Sequence, residues 1–241
     1  MRLSIGQVME LNRYPVKSFR GERLDSCEVE SYGLHGDRFC AFYDETKQGW
    51  SSYVTASEIP GLLAYEARLV DEEIRITSPE GLAYEWNEEL LADMQRHSKK
   101  KLSMTSCRAP NMENPDLMSV DVASVLIVTD ASLRKLEAIW GKNLDRDRFR
   151  ANLVIAVDDD ALDESSWIGR RLHIGGAELQ VDSWCQRCAM ITIDPNTMER
   201  DPSLLRKVNE QMNLNFGLYA SVKRTGRIAA GDLVYLDSDF R

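Results

Sequence analysis

The 241-residue chain carries 30 Lys and Arg against 39 Asp and Glu, a formal net charge of −9. That balance argues against a general nucleic-acid binder, which needs a basic footprint, and leaves room for a local cationic pocket that takes a phosphorylated small molecule. Apolar residues make up 43% and charged residues 29%, which suits a globular core and not a disordered chain. No apolar run approaches the roughly 18 residues that cross a bilayer, and Met1 to Val8 alternates like a strand with no signal-peptide core. A cytoplasmic protein with neither membrane nor nucleic-acid partner is expected. The cysteines, Cys27, Cys40, Cys107, Cys185 and Cys188, are odd in number. They form no disulfide framework and point to a reducing compartment.

In chain order, Ser4 to Leu11 and Cys27 to Glu30 alternate as strands, and Arg38 to Tyr43 is an apolar run ended by the polar stretch Asp44 to Gly49. Leu63 to Val70 and Glu73 to Thr77 read as a strand pair joined at Asp71-Glu72, with a turn at Ser78 to Gly81. Asn87 to Lys101 is polar and ends in three lysines, a solvated face. Cys107 to Ser119, with Pro110 and Pro115, reads as a loop crossing between domains. Ser124 to Val128 is a buried strand. A helix follows, with cap residues at Thr129 to Ser132, apolar positions at Leu133, Leu136, Ile139 and Trp140, and a stop at Gly141. Asn152 to Val157, Arg171 to Ile174, Glu178 to Asp182, Ala189 to Ile193 and Leu233 to Leu236 continue the strand pattern, and Ser203 to Asn213 is a second helix. The predicted fold is mainly β with a few helices, the short, closely spaced strands suggesting a barrel or sandwich.

Four segments could carry chemistry. Cys185-Gln186-Arg187-Cys188 could be half of a zinc site, a redox pair, two buried thiols, or one thiolate ligand favoured by the neighbouring arginine. Tyr14-Pro15-Val16-Lys17-Ser18 sets a charge and a hydroxyl after a rigid turn. In Gly36-Asp37-Arg38-Phe39 an arginine opens a strand, and in Arg148 to Ile155 the residues Arg150 and Asn152 face one side of a strand. Taken singly, each also fits an ordinary loop lysine or a structural ion pair.

Their order along the chain resembles the MOSC superfamily (the molybdenum cofactor sulfurase C-terminal type), in the branch with an N-terminal β-barrel subdomain. Within it the chain is similar to the mitochondrial amidoxime reducing component and its bacterial relatives. The resemblance rests on Tyr14 to Ser18, Gly36 to Phe39, Thr129 to Leu133, Arg148 to Val154, Cys185 to Cys188 with Thr192 to Pro195, Phe216 to Tyr219, and Gly231 to Tyr235. It implies an N-terminal β-barrel-like subdomain over 1–87 and a MOSC β-barrel domain over 101–238, with the molybdenum cofactor (Mo-molybdopterin) in the cleft between them. It further implies that Cys188 is the metal's thiolate ligand and a catalytic residue. Lys17, Ser18, Arg38, Arg150, Asn152, Gln186 and Tyr219 would bind the cofactor, with Asp121 as a proton donor beside the metal.

The chain also departs from the pattern. Where close relatives carry a Thr-Ser pair after an aspartate it has Asp121-Val122-Ala123; Gln186 replaces a serine, and Thr55-Ala56-Ser57 replaces Thr-Ala-Arg. No iron–sulfur run, dinucleotide fingerprint, P-loop or pyridoxal-type sulfurase segment is visible. Two function classes follow. One is an oxidoreductase that reduces N-hydroxylated or N-oxygenated small molecules with electrons from a separate electron-transfer protein. The other is a carrier of molybdenum cofactor or of sulfane sulfur, held as a persulfide on Cys188.

Overall fold

In the computed structural model, which describes residues 2–120, 122–158 and 163–238, the opening alternation becomes strand β1 (Arg2–Arg13), whose Ile5, Val8 and Leu11 are buried. Short strands follow: β2 (Glu22–Leu24), β3 (Ser26–Glu30), β4 (Gly33–Leu34) and β5 (Phe42–Tyr43). Next come the hairpin β6 (Glu66–Val70) and β7 (Glu73–Thr77), then β8 (Ala83–Glu85), helix α1 (Glu88–Gln95) and β9 (Ser103–Met104). The second half runs β10 (Val125–Thr129), α2 (Asp130–Trp140), β11 (Leu153–Val157), β12 (Arg171–Ile174) and β13 (Ala177–Gln186). It ends with α3 (Pro202–Met212), β14 (Asn215–Arg224), β15 (Gly226–Ala229) and β16 (Leu233–Asp237).

Seven strands close into a barrel in the order β11-β10-β14-β13-β12-β16-β1, and β1 pairs antiparallel with β11 to complete the ring. Closure leaves no free sheet edge in the ring. Its interior is filled by Ile5, Val125, Leu153, Leu172, Val181, Leu218 and Val234. The parallel pair in the ring, β10 with β11, needs a crossover, and α2 supplies it. That helix has the predicted ends: Thr129 Oγ1 accepts from the Ser132 amide at 3.1 Å, and Gly141 closes it at φ 73. Leu136 of α2 joins Leu204 and Val208 of α3 in a cluster on the outside of the barrel. Of the other N-terminal strands, β2 pairs with β1, β3 pairs with β4 and β15, and the rest form small sheets, β6-β7-β8 and β5-β9, over a second core that includes Phe19, Phe39, Phe42, Tyr65 and Leu90. The β6–β7 turn lies where predicted, with Asp71 and Glu72 both left-handed (φ 49 and 67), as a two-residue hairpin loop requires.

Several segments differ from expectation, for local reasons. The polar stretch after Trp86 contains α1, begun by Asn87, whose Oδ1 accepts from the Glu89 and Leu90 amides. Leu63 lies in a 3-10 turn (Pro60–Ala64), so β6 starts only at Glu66. β14 and β15 were not foreseen. The run Arg38 to Tyr43 is strand only at Phe42–Tyr43, because Arg38 is left-handed (φ 51) and does not open a strand. Ala189 to Ile193, predicted as strand from its alternation, is a 3-10 turn over Ala189–Thr192. Thr192 Oγ1 donates to the Ala189 carbonyl at 2.7 Å, and the Arg148 guanidinium takes the Thr192 carbonyl at 3.2 Å, so these groups find partners without a neighbouring strand.

Gly6 sits where β1 meets both β11 and β16, paired with Val157 on one side and Val234 on the other. It adopts φ +146, and a Cβ there would lie 2.0 Å from the Ala156 carbonyl oxygen. Gly6→Ala is expected to destabilise the barrel by about 1–3 kcal/mol, read as a lower urea midpoint. Gly61→Ala, with nothing within 4 Å of the added methyl, should leave the midpoint nearly unchanged.

Candidate functional site

Loops from distant parts of the chain meet at one rim of the barrel. The segment after β1 is fastened to the Arg38 segment by backbone bonds, from the Lys17 amide to the Cys40 carbonyl at 2.8 Å and from the Cys40 amide to the Pro15 carbonyl at 3.1 Å. This holds Lys17 buried, its Nζ donating to the Ser119 carbonyl at 3.0 Å and lying 5.1 Å from the centre of the Tyr53 ring. Ser18 is left-handed (φ 69), and its Oγ accepts from the Ala56 amide at 3.1 Å. Arg150 is left-handed as well (φ 53), ending the 3-10 turn Arg146–Phe149. Non-glycine residues rarely adopt this conformation, and where the surroundings enforce it the position is often functional. The expected strand placing Arg150 and Asn152 on one face is therefore not formed: Arg150 belongs to a turn and β11 begins at Leu153.

Tyr14 organises the two arginines. Its ring lies between them, 4.5 Å from the Arg38 guanidinium and 4.3 Å from that of Arg150. Burial pushes the Tyr14 phenol up to about 12 against the opposing pull of both cations, so it stays protonated and donates to the Ala151 carbonyl at 3.3 Å. Asp37 completes the arrangement, accepting from the Tyr14 amide at 2.8 Å and pairing with Arg38. Arg38 also reaches the Arg150 carbonyl, and Arg150 donates to the Phe19 carbonyl at 2.6 Å.

On the opposite wall β13 runs out at Gln186. Cys185 and Arg187 are buried while Gln186 and Cys188 are exposed, and Cys188 begins the 3-10 turn described above without a side-chain cap bond. Arg187 donates from Nε to the Phe216 carbonyl at 2.7 Å and from Nη1 to that of Phe149 at 3.1 Å, over both rings. Among the described residues its Nη2 is buried with no acceptor, as is Nε of Arg148, whose other donors serve Asp194 and the Thr192 carbonyl. Buried donors without acceptors are costly and rare, and in a cavity wall they indicate that an acceptor-bearing ligand belongs there.

These walls enclose a cavity of about 250 Å³. Its lining includes Lys17, Ser18, Arg38, Arg150, Asn152, Gln186, Cys188 and Tyr219, so the structure brings together all the sequence-predicted site residues that it describes. Asp121, the expected proton donor, lies outside the described residues. The neighbouring Val122 and Ala123 line the cavity, and Thr55 lines it too. Arg148 and Arg187 were overlooked as candidates, although each stands inside a segment already singled out. A second hollow of about 330 Å³, lined by Tyr14, Arg20 and Arg23, lies on the other side of Arg150. Among the described residues no group of three or more His, Cys, Asp or Glu could hold a metal ion, and no helix is long and apolar enough to cross a membrane.

Asn152 serves the fold directly. Its Oδ1 accepts from the Leu126 amide at 3.0 Å and its Nδ2 donates to the Asn12 carbonyl at 3.3 Å, linking β10, β11 and β1 beneath the cavity.

Comparison with known proteins agrees with this architecture. The MOSC domain matches residues 114–235 and the MOSC N-terminal beta barrel domain residues 5–127, and the chain belongs to the MOSC family. It is 26% identical to mitochondrial amidoxime reducing component 2 of Macaca fascicularis over 96% of this chain and 83% of that protein. It is 37% identical to the molybdenum cofactor sulfurase of Drosophila mojavensis over 47% of this chain but only 14% of that one. The YuaD protein of Bacillus subtilis shares the fold, with a TM-score of 0.54 at 14% identity, covering 100% of this chain and 99% of that one.

Asn152→Ala should destabilise the protein by about 1–3 kcal/mol even with no ligand added, because it leaves the buried Leu126 amide unpaired. Thermal denaturation of ligand-free protein checks this, since a residue serving only a ligand would leave that midpoint unmoved.

Proposed function

We propose that the cavity holds a molybdenum cofactor and that the protein is an oxidoreductase reducing N-hydroxylated or N-oxygenated small molecules. The observation that carries this reading is the pairing of an exposed thiol, Cys188, with a ring of cationic side chains in a chain of net charge −9. Thiolate is a soft ligand that suits such a metal. A single protein thiolate is a sparse ligand set, which fits a metal that arrives already chelated by an organic group bearing a phosphate. The guanidinium groups of Arg38, Arg150 and Arg187 supply directed donors for phosphate and Lys17 a point charge. The relatives named for amidoxime reduction and for the molybdenum cofactor support the same reading.

Bound there, the cofactor would supply the two-electron redox change that removes the oxygen. The chain's own residues would do the rest. Cys188 would hold the metal at the cavity rim, where its exposure leaves one side open to a small substrate. Lys17, Ser18, Arg38 and Arg150 would fix the anionic end, while Asn152, Gln186 and Tyr219 would set its orientation. Asp121 would supply protons. Electrons would come from a separate electron-transfer protein.

The test is elemental analysis for molybdenum, with fluorescence of the oxidised pterin, on protein from a host that makes the cofactor. Near-stoichiometric metal is expected in the wild type, none in Cys188→Ser and a smaller loss in Cys185→Ser. Equal metal in all three would overturn the assignment. Metal-free protein bearing a persulfide on Cys188 would replace it with a sulfur carrier.

Lys17→Ala and Arg38→Ala should each weaken cofactor retention by about 1.5–3 kcal/mol through loss of a charge-assisted hydrogen bond. Pterin content after dialysis of the double variant measures the effect.

A further inference from the structure

Two cysteines outside the site face each other. β5 and β9 pair antiparallel, Phe42 with Met104 and Tyr43 with Ser103, and the pairing continues as the Thr105 amide donates to the Ala41 carbonyl at 3.0 Å. It then slips by one residue: the Arg108 amide reaches the Phe39 carbonyl at 2.9 Å, with Arg108 left-handed at φ 62. The slip sets Cys107 beside Cys40, close enough for each thiol to shift the other's titration. Cys40 is buried and Cys107 exposed, so one sulfur is open to solvent while the other waits behind it. The remaining thiols differ: Cys27 and Cys185 are buried and bond to backbone carbonyls, and Cys188 belongs to the cavity.

We propose that Cys40 and Cys107 form a reversible redox pair, closed to a disulfide by hydroperoxides. Cys107 would attack the terminal peroxide oxygen; the O–O bond breaks and the departing hydroxide or alkoxide takes a proton. The resulting Cys107 sulfenic acid is attacked by the Cys40 sulfur. The S–O bond breaks, and hydroxide leaves as water with the proton that Cys40 gives up. Two thiols are oxidised and one peroxide is reduced to two waters, or to water and an alcohol. The neighbouring Cys40 thiol holds the Cys107 thiol down to about 7, with help from Arg108, and burial adds to the effect that keeps Cys40 protonated until it is needed. A low-pKa, accessible thiol beside a resolving one is the arrangement that redox-responsive cysteines require.

The bond would link the Arg38 segment to the crossover loop, which already touches the cavity wall. The Ser119 amide donates to the Arg38 carbonyl at 3.2 Å and its carbonyl accepts from Lys17. Oxidation would thus fasten two walls of the basic cavity together. The chemistry of the pair is independent of what that cavity holds.

The test uses the full reduced chain and hydrogen peroxide, with excess peroxide removed before thiol titration and non-reducing peptide mass spectrometry. Titration should lose two of the five thiols, with a linked peptide joining Cys40 to Cys107 that dithiothreitol dissolves, while Cys107→Ser loses none. Backbone hydrogen exchange over residues 105–120 should slow on oxidation. Alkylation of Cys107 in the wild type should show a midpoint near 7, moving toward the ordinary thiol value of about 8.5 in Cys40→Ala. A Cys185–Cys188 link in place of this one, or Cys107 taken to sulfinic or sulfonic acid with Cys40 still reduced, would overturn the proposal. Should Cys40→Ala fail to fold, a wild-type midpoint at the ordinary thiol value would do the same.

Discussion

The first strand has both of its long neighbours in the far half of the chain, with only the short β2 paired from nearby, and everything at the rim depends on it. β1 is held by β11 on one side and β16 on the other, and it delivers Tyr14 to Ser18 to the place where Arg150 emerges. Glu10, on the same strand and almost fully buried, pins this junction by accepting from Arg23 at 3.0 Å and Arg146 at 2.7 Å. Arg146 begins the turn that ends at Arg150, so one carboxylate couples barrel closure to the position of a site cation. Breaking one partner of such a buried group leaves an uncompensated charge, which costs more than the pair itself contributes.

The rim concentrates positive charge in an acidic protein, and the way it does so matters. Arg38 and Arg148 have carboxylate partners in Asp37 and Asp194, but Arg187 is held by the carbonyls of Phe149 and Phe216 and by the faces of their rings. Carbonyl dipoles and aromatic faces fix a guanidinium without cancelling its charge. The cation is therefore positioned and still available to an anion.

The sequence made the barrel legible because its strands alternate and its helices carry conventional ends, as at Thr129 and Gly141. The site was legible through its order: Lys17, Arg38, Arg150 and Cys188 stand in separate segments, and the fold brings them to one cavity. What was missed has a physical cause in each case. Residues 189–193 alternate as a strand does, yet the carbonyls at Ile191 and Thr192 are claimed by Arg148, a residue some forty positions away that no local pattern registers. β14 contains Gly217 at φ 80, where a Cβ would lie 2.8 Å from the Ile127 carbonyl, and that glycine interrupts the apolar pattern of an otherwise clear strand. Arg148 and Arg187 passed as motif fillers because only burial distinguishes them from surface arginines.

Closing the barrel with the first strand also sets an order of assembly. Until residues 153–157 and 233–237 exist, β1 has neither of its long partners and presents an open edge of unpaired amides and carbonyls flanked by Ile5, Val8 and Leu11. During synthesis the chain must leave the ribosome through residue 237 before the ring can shut, so the rim stays unmade until β16 arrives. Such long-range pairing folds slowly and leaves edges open to wrong partners. The basic pocket is therefore a late product of folding, and any anion that binds it meets a protein whose barrel has already closed.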